Sequence, residues 1–400
     1  MLKRITVGYT VNELGNWLGA VALAVAVFDH TRSAVAVAAL FVSVRFLPAV
    51  LVTAIVARLE LLARRGVLAS LYVLQAITTG GLAVLVLQPA LVPILVLGAV
   101  DGIAALSAKA LLRAVVSQES ADDEARRRAN GRLNSCWAAT AALGPVVAGL
   151  LSAAVGPSMV LVLDAVSFVI TAALVLDVPT PRTETGSAGI TDQLNEIVRY
   201  VRANSALGWL LGIEAVAIVF FAAVVPVEVA FVKATLHGGD QGYGALLAAW
   251  GAGMVLGSVV FTRARRRPLS ALLTAGTFAV AIGYLGIAGS TVLLGACAFS
   301  FIGGTGNGMQ WIALVTAVQD QTPANLQGRF MAVVESMGAL CPAIGFVLGG
   351  AVAAVSQPRV TFMVSGAAGA LATCAFGVLA ARNHSRRALP VAASAVTRSG

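Results

Sequence analysis

Two adjoining stretches decide the fold: residues 133–155, LNSCWAATAALGPVVAGLLSAAV, and residues 158–177, SMVLVLDAVSFVITAALVLD. The first contains no charged side chain, and the second contains Asp164 and Asp177 alone. A helix rises 1.5 Å per residue, so runs of this length reach roughly 30–35 Å, enough to cross the hydrocarbon core of a bilayer. Similar runs fall at 5–28, 34–57, 67–88, 91–116, 208–232, 241–262, 270–288, 291–318, 329–355 and 360–381. That makes six spans, a polar interval, and six more spans.

Composition agrees. Of 400 residues, 58% are apolar and 11% charged. A soluble domain has about 45–50% apolar and about 25% charged residues. An ordinary soluble enzyme and a disordered chain are both excluded. Twelve spans of about 20 residues need about 240 apolar positions, close to what this composition supplies. The predicted class is an all-α membrane protein with twelve transmembrane helices in two six-helix halves.

Charge sets the orientation. The net charge is +9, from 27 Lys+Arg and 18 Asp+Glu. With the N-terminus cytoplasmic, 21 Lys and Arg fall on the cytoplasmic side and three (Arg32, Lys233, Arg359) fall outside. This is a strong positive-inside bias. It predicts cytoplasmic termini and an inner (plasma) membrane location. It also accounts for the basic balance without nucleic acid, since the basic runs lack interleaved aromatics. The arginine clusters read as topology and as attraction to the anionic lipid of the bilayer. The first run has no small-residue cleavage site and reads as a retained helix.

The chain divides into a half at 1–178, a linker at 179–207, a half at 208–382 and a loose cytoplasmic tail at 383–400. Pro179, Pro181, Gly186 and Gly189 break helix in the linker. A short amphipathic helix follows, capped by Thr191, with Leu194, Ile197, Val198 and Val201 on one stripe. A shift of 197 residues places Gly131-Arg132 on Gly328-Arg329, Pro145 on Pro342, and Leu14-Gly15 on Leu211-Gly212. Two similar halves in parallel orientation suggest a transporter with its site between them.

Here the chain resembles the major facilitator superfamily over nearly its whole length. It is similar to the bacterial efflux branch that includes macrolide and siderophore exporters. Arg45-Phe46-Leu47-Pro48 resembles that branch's Arg-x-x-Pro. Gly144-Pro145 through Gly149 resembles the Gly-Pro-x-x-x-Gly stretch of antiporters. Gly328-Arg329-Phe330-Met331, Pro342 and Gly349-Gly350 look like the matching region of span 11, and Gly242-Tyr243-Gly244 with Trp250-Gly251 looks like span 8. There is one departure. The family's loop after span 2 reads Gly-x-x-x-Asp-Arg-x-Gly-Arg-Arg. Here Thr53 and Ala57 stand at the Gly and Asp positions, while Arg58, Arg64 and Arg65 remain. The missing aspartate is implied to latch the halves, so the usual gate is altered. The resemblance also implies that spans 1, 4, 7 and 10 line a cavity, and that the protein is a monomer.

An ionisable residue inside a membrane is a functional candidate by default. Asp101, Lys109 and Arg113 in span 4 lie within an arc of about 120° at 100° per residue. Asp101 is a candidate for proton or cation coupling, or else forms a structural ion pair with Arg45 or Lys109. Glu13 stands with Asn12, Asn16 and Trp17 in span 1, as a polar cavity wall or an interhelical hydrogen-bond cluster. Glu214 and Glu228 in span 7 fall within 40° of one face, as two stations on a proton path, or with Glu228 wetted at the surface. Asn307, Gln310 and Trp311 in span 10 are substrate-cavity candidates beside a glycine run that can instead serve packing. Arg329 and Glu335 fit a gate between the halves, and Asp164 reads as structural.

No Walker loop exists, so ATP does not drive the process directly. His30, His237 and His384 fall at span ends or in the tail. Cys136, Cys297, Cys341 and Cys374 lie in apolar runs without metal-ligand spacing. No cofactor, metal site or catalytic constellation is expected, and the chain is not read as an enzyme. The expectation is proton-coupled efflux of a small, partly apolar organic compound by alternating access. The rivals are a nutrient importer on the same fold and a non-transporting membrane sensor or assembly protein.

Overall fold

The computed structural model describes residues 2–49, 51, 66–88, 90–118, 123–178, 199–264, 266–322 and 327–396. Among them lie twelve helical spans. In the first half these are α1 (Leu2–Thr31), α2 (Ala34–Ala49), α3 (Val67–Leu85), α4 (Leu91–Gln118), α5 (123–155) and α6 (157–175). In the second they are α7 (Ser205–Thr235), α8 (Gly239–Arg263), α9 (Leu269–Gly289), α10 (Leu293–Asp320), α11 (Gln327–Val355) and α12 (Pro358–Val396). Successive helices alternate in direction, so the start of α1 lies beside the end of α6, with Arg4 3.9 Å from Asp177 and Gly15 against Asp164. Both ends of the chain therefore lie at one end of the bundle, called here the near end. The turns at Arg32, Gly156, His237 and Gln357 lie at the far end.

Local chemistry sets the breaks. Gly156 separates α5 from α6 at φ 82° and ψ 157°, a conformation open to glycine and costly for other residues. Ser33 caps α2 and Asn204 caps α7 through their side-chain oxygens. Helix α7 is interrupted at Ala223–Val224, ahead of Pro226, which has no N–H to continue the ladder. The carbonyls of Phe220 and Phe221 beside the break accept bonds from Ser365 Oγ (2.7 Å) and Tyr284 Oη (3.2 Å). Backbone groups at membrane depth need such internal partners.

The final helix runs to Val396, where the sequence predicted an irregular tail from 383. Most of the linker lies outside the described residues. Its end, a helical turn at 199–203, sits on the second half: Tyr200 Oη donates to Gln321 O at 2.7 Å, and its ring meets Phe330 edge-on at 5.4 Å.

Small residues let the helices approach, the usual means in lipid. Gly253 and Gly257 of α8 lie against Phe301 and Thr305 of α10. Gly303 and Gly304 face Trp250, Gly306 faces Gly276, and Gly308 faces Met254. The glycine run of α10 therefore serves packing.

The core reveals the conformation. One buried cluster, including Phe28, Leu40, Ala148, Phe231, Leu246 and Phe346, joins both halves at the far end. At the near end there are two separate clusters. One, around Tyr9, Tyr72, Leu111 and Phe168, belongs to the first half. The other, around Leu210, Leu273, Leu314 and Phe330, belongs to the second. The halves are thus packed together at the far end and have independent cores at the near end.

Candidate functional site

Four polar residues on α1, α4, α7 and α10 occupy a common depth. Glu13, Lys109, Glu214 and Gln310 each lie about ten residues from the near end of their helices, or roughly 15 Å at 1.5 Å per residue. That is about the middle of a bilayer core of ~30 Å. They form one pair in each half. In the first half, Lys109 Nζ lies 3.6 Å from Glu13 Oε1. The carboxylate is nearly closed off, with 8% of its side chain exposed, whereas the lysine keeps 35%. Glu13 is also near enough for its charge to act on Arg45. In the second half, Gln310 Nε2 donates to both oxygens of Glu214 at 3.0 and 3.1 Å.

This arrangement corrects the ion pairs expected for Asp101. Lys109 faces α1, so its partner is Glu13. Asp101 instead accepts from Thr78 Oγ1 at 2.7 Å and Thr79 Oγ1 at 3.2 Å, both on α3. It lies about two turns farther from the near end than Lys109, inside the first half. Asp164 is 3% exposed and is set into the α1 surface where Gly15 and Gly19 leave room. Ser167 Oγ donates to it at 3.4 Å.

Other candidates are placed as follows. Asn12 is buried, with its Oδ1 unpartnered among the described residues. Asn16 and Trp17 are half-buried, and Trp17 packs on Gly144 of α5. Asn307 is half-buried, and Trp311 lies against Gly338 of α11. Glu228 is half-buried near Tyr243 and Tyr284. The shared face expected for Glu214 and Glu228 assumed an unbroken helix. The interruption at Ala223–Val224 cancels that angular count. Arg58, Arg64, Arg65, Thr53 and Ala57 lie outside the described residues, as do the side chains of Arg113, Arg329 and Glu335. A cavity of about 450 Å³ between α9 and α12, lined by Ser270, Thr274, Phe278 and Thr373 among others, contains none of the candidates.

Sequence reasoning missed a second charge cluster. Lys233 Nζ contacts Asp29 Oδ1 at 2.6 Å and Asp240 Oδ1 at 2.5 Å. Asp29 ends α1 and Lys233 ends α7, so this bond joins the halves at the far end. Beside it, the backbones of α5 and α8 meet at Gly149 and Gly244. The rings of Phe41 of α2 and Phe346 of α11 meet at 5.4 Å, tilted by 40°, across the opposite seam. A signal was available: only Lys3, Lys109 and Lys233 are lysines in an arginine-rich chain. Two of those three hold carboxylates at helix contacts.

The Glu13–Lys109 pair is testable. Removing either partner leaves a charge in an apolar setting, whereas removing both does not. A double-mutant cycle on Glu13→Gln and Lys109→Met, followed by thermal unfolding, should give a coupling of about 1–2 kcal/mol. Additive effects would show that the two side chains do not act together.

A family model described as transmembrane secretion effector matches residues 2–395. A bacterial homologue of the iron transporter ferroportin, solved in an inward-facing state, is similar with a TM-score of 0.72 and 15% identity, covering 94% of this chain and 98% of that one. The nucleoside transporter NupG has a TM-score of 0.71 and 11% identity, covering 94% and 98%. The human organic anion transporter MFSD10 has 0.62 and 15%, with the same coverage. No curated protein matches the chain by sequence. At these identities the likeness to solved structures concerns the fold alone.

Proposed function

Because this chain belongs to the major facilitator transporters, in the family described as transmembrane secretion effectors, we propose that it is a proton-coupled exporter of a small, partly apolar organic compound. One observation carries the reading: each half places a buried carboxylate at mid-membrane depth on a helix of the set 1, 4, 7 and 10. A buried carboxylate is a group that can take up and release a proton inside the membrane. One carboxylate per half lets proton exchange bear on how the halves sit together. The family description supports export. The three structural neighbours carry chemically unrelated cargo by their names, so they do not narrow the substrate.

In this reading the near end is cytoplasmic, which the distribution of arginine supports, and the membrane is the plasma membrane. The halves, closed at the far end, then expose their midpoint to the cytoplasm, where an exporter loads. Asn16, Trp17 and Lys109 line the path from one side and Asn307 and Trp311 from the other, with Asn12 and Gln310 buried behind them. Glu13, Asp101, Glu214 and Glu228 are the candidates for proton coupling. Gly144, Pro145 and Gly149 shape α5 for the contact between halves, and Arg45, Arg58, Arg64, Arg65, Arg329 and Glu335 belong to the cytoplasmic side of the gate. The protein works as a monomer, with lipid, substrate and protons as its partners.

Everted vesicles with a pH-sensitive dye test this. After a proton gradient is established, dyes, macrolides and quaternary amines are added in turn. An exporter exchanging substrate for protons dequenches the dye with at least one compound. The response should disappear in at least one of Asp101→Asn, Glu13→Gln and Glu214→Gln. Responses unchanged in all three variants would remove these residues from coupling. Substrate accumulating in right-side-out vesicles along the gradient would reverse the proposed direction.

A further inference from the structure

Glu214 and Gln310 are 2% and 1% exposed, so the pair is buried. The amide nitrogen, Gln310 Nε2, faces the carboxylate and lies within hydrogen-bond distance of both its oxygens, at 3.0 and 3.1 Å. The amide oxygen, Gln310 Oε1, has no donor among the described residues. Its neighbourhood explains why. Gly276 of α9 packs directly on Gln310, and the nearby Thr277 hydroxyl is committed to Leu273 O at 2.9 Å. The pair thus holds two carboxylate oxygens, one amide oxygen and only two N–H donors.

The missing element is one hydrogen. Among the groups that pack here, α9 carries no charged residue and α10 only Asp320 at its near end. Helix α12 contributes Arg359, which is held at the far end by the Ala288 and Ser290 carbonyls, and Arg382, Arg386 and Arg387, whose side chains lie outside the described residues. Helix α11 carries Arg329 and Glu335, whose side chains lie outside the described residues. The remaining charges of α7, Glu228 and Lys233, lie beyond its break. No described cation compensates Glu214.

A carboxylic acid and a primary amide form a closed ring of two hydrogen bonds: acid O–H to amide oxygen, and amide N–H to acid carbonyl. A modest turn of the Gln310 amide within its plane takes the observed pair to that ring. Gln310 Oε1, idle in the anionic arrangement, is then used. We propose that Glu214 and Gln310 together are a one-proton site, in which a proton bound to Glu214 is held by Gln310 Oε1. On loading, an O–H bond forms on Glu214 as the donor, a hydronium ion, reverts to water. Unloading reverses the step, and the amide nitrogen returns to face both oxygens of the anion. Gln310 is the positioning residue, and its amide turn reports the protonation state to α10.

This inference rests on the proton-coupled reading, but its test needs neither substrate nor flux. Difference infrared spectra of the purified protein in lipid are recorded across a pH titration. The wild type should show a protonated-carboxyl stretch that is lost in Glu214→Gln. In Gln310→Met that band should move to higher frequency, because the carbonyl loses its N–H donor. Gln310→Asn, which retracts the amide by one methylene, should move it the same way and serves if the methionine variant does not fold. A wild-type spectrum with no band assignable to Glu214, or a band that ignores both Gln310 variants, would overturn the proposal. A correct band together with substrate-independent proton flux would keep the site and defeat the transport reading instead.

Discussion

Replacing Lys233 by alanine should open the far end. In the native arrangement one ammonium, 12% exposed, neutralises carboxylates from both halves. Its removal deletes the bond between halves and leaves Asp29 facing Asp240 with like charge. A hydrogen bond to a charged group is worth about 1.5–3 kcal/mol, and every ~1.4 kcal/mol changes an equilibrium tenfold. The far-end-closed population should therefore fall by about 10- to 100-fold relative to the open one. The two acids are not equivalent. Asp240 lies in the same half as Lys233 and keeps it neutralised when the halves part, whereas the Asp29 bond must break. Asp29→Asn should thus shift the balance in the same direction as Lys233→Ala, and Asp240→Asn much less. Lys233→Arg should retain the latch. Spin labels at Leu87 and Leu294, exposed near the far ends of α3 and α10, can read the separation after the native cysteines are replaced. Native distances in Lys233→Ala would show that the cluster does not hold the halves.

The second large effect is expected at Gly149. A methyl group there would occupy the place of the Gly244 backbone, and the reverse substitution meets the Gly149 backbone. Neither backbone can give without moving its helix. Overpacking typically costs about 1–3 kcal/mol, so Gly149→Ala should reduce flux by roughly 5- to 150-fold at ~1.4 kcal/mol per decade. Each half retains its own near-end core, so the variant should still insert and resist heat. Gly212→Ala is the control. That glycine has nothing within 4 Å of a built Cβ, and alanine there should be neutral or slightly stabilising. Parallel dye-quench transport and thermal melting separate the outcomes. If Gly149→Ala transports normally, the α5–α8 contact is not needed for the cycle.

These glycines also mark how far the sequence could be read. The offset of 197 paired Gly15 with Gly212, yet the two have different surroundings. Gly15 makes room for Asp164 and Ser167, and Gly212 faces outward. The same offset carries Gly149 onto Phe346. One seam between the halves therefore closes backbone to backbone, and the other closes through aromatic rings. The repeat conserved the succession of spans, not the side chains that meet across them.

The sequence by itself determined the twelve spans, their grouping in two halves and the helices that carry the candidate charges. Those properties are sums over neighbouring residues: about 20 apolar side chains suffice to place a helix in hydrocarbon, whatever it later packs against. The candidate residues Glu13, Asp101, Lys109, Glu214 and Gln310 were legible for the same reason, since a polar group inside an apolar run stands out locally. Their partners were not. Lys109 took Glu13 and left Asp101 to two threonines, Glu214 met an amide 96 residues away, and Lys233 joined an aspartate 204 residues away. Such pairings depend on how each helix is rotated and how deep it sits against its neighbour. Glycine contacts, the proline break in α7 and the packing of the halves at the far end set those quantities, and they exist only once the chain has folded.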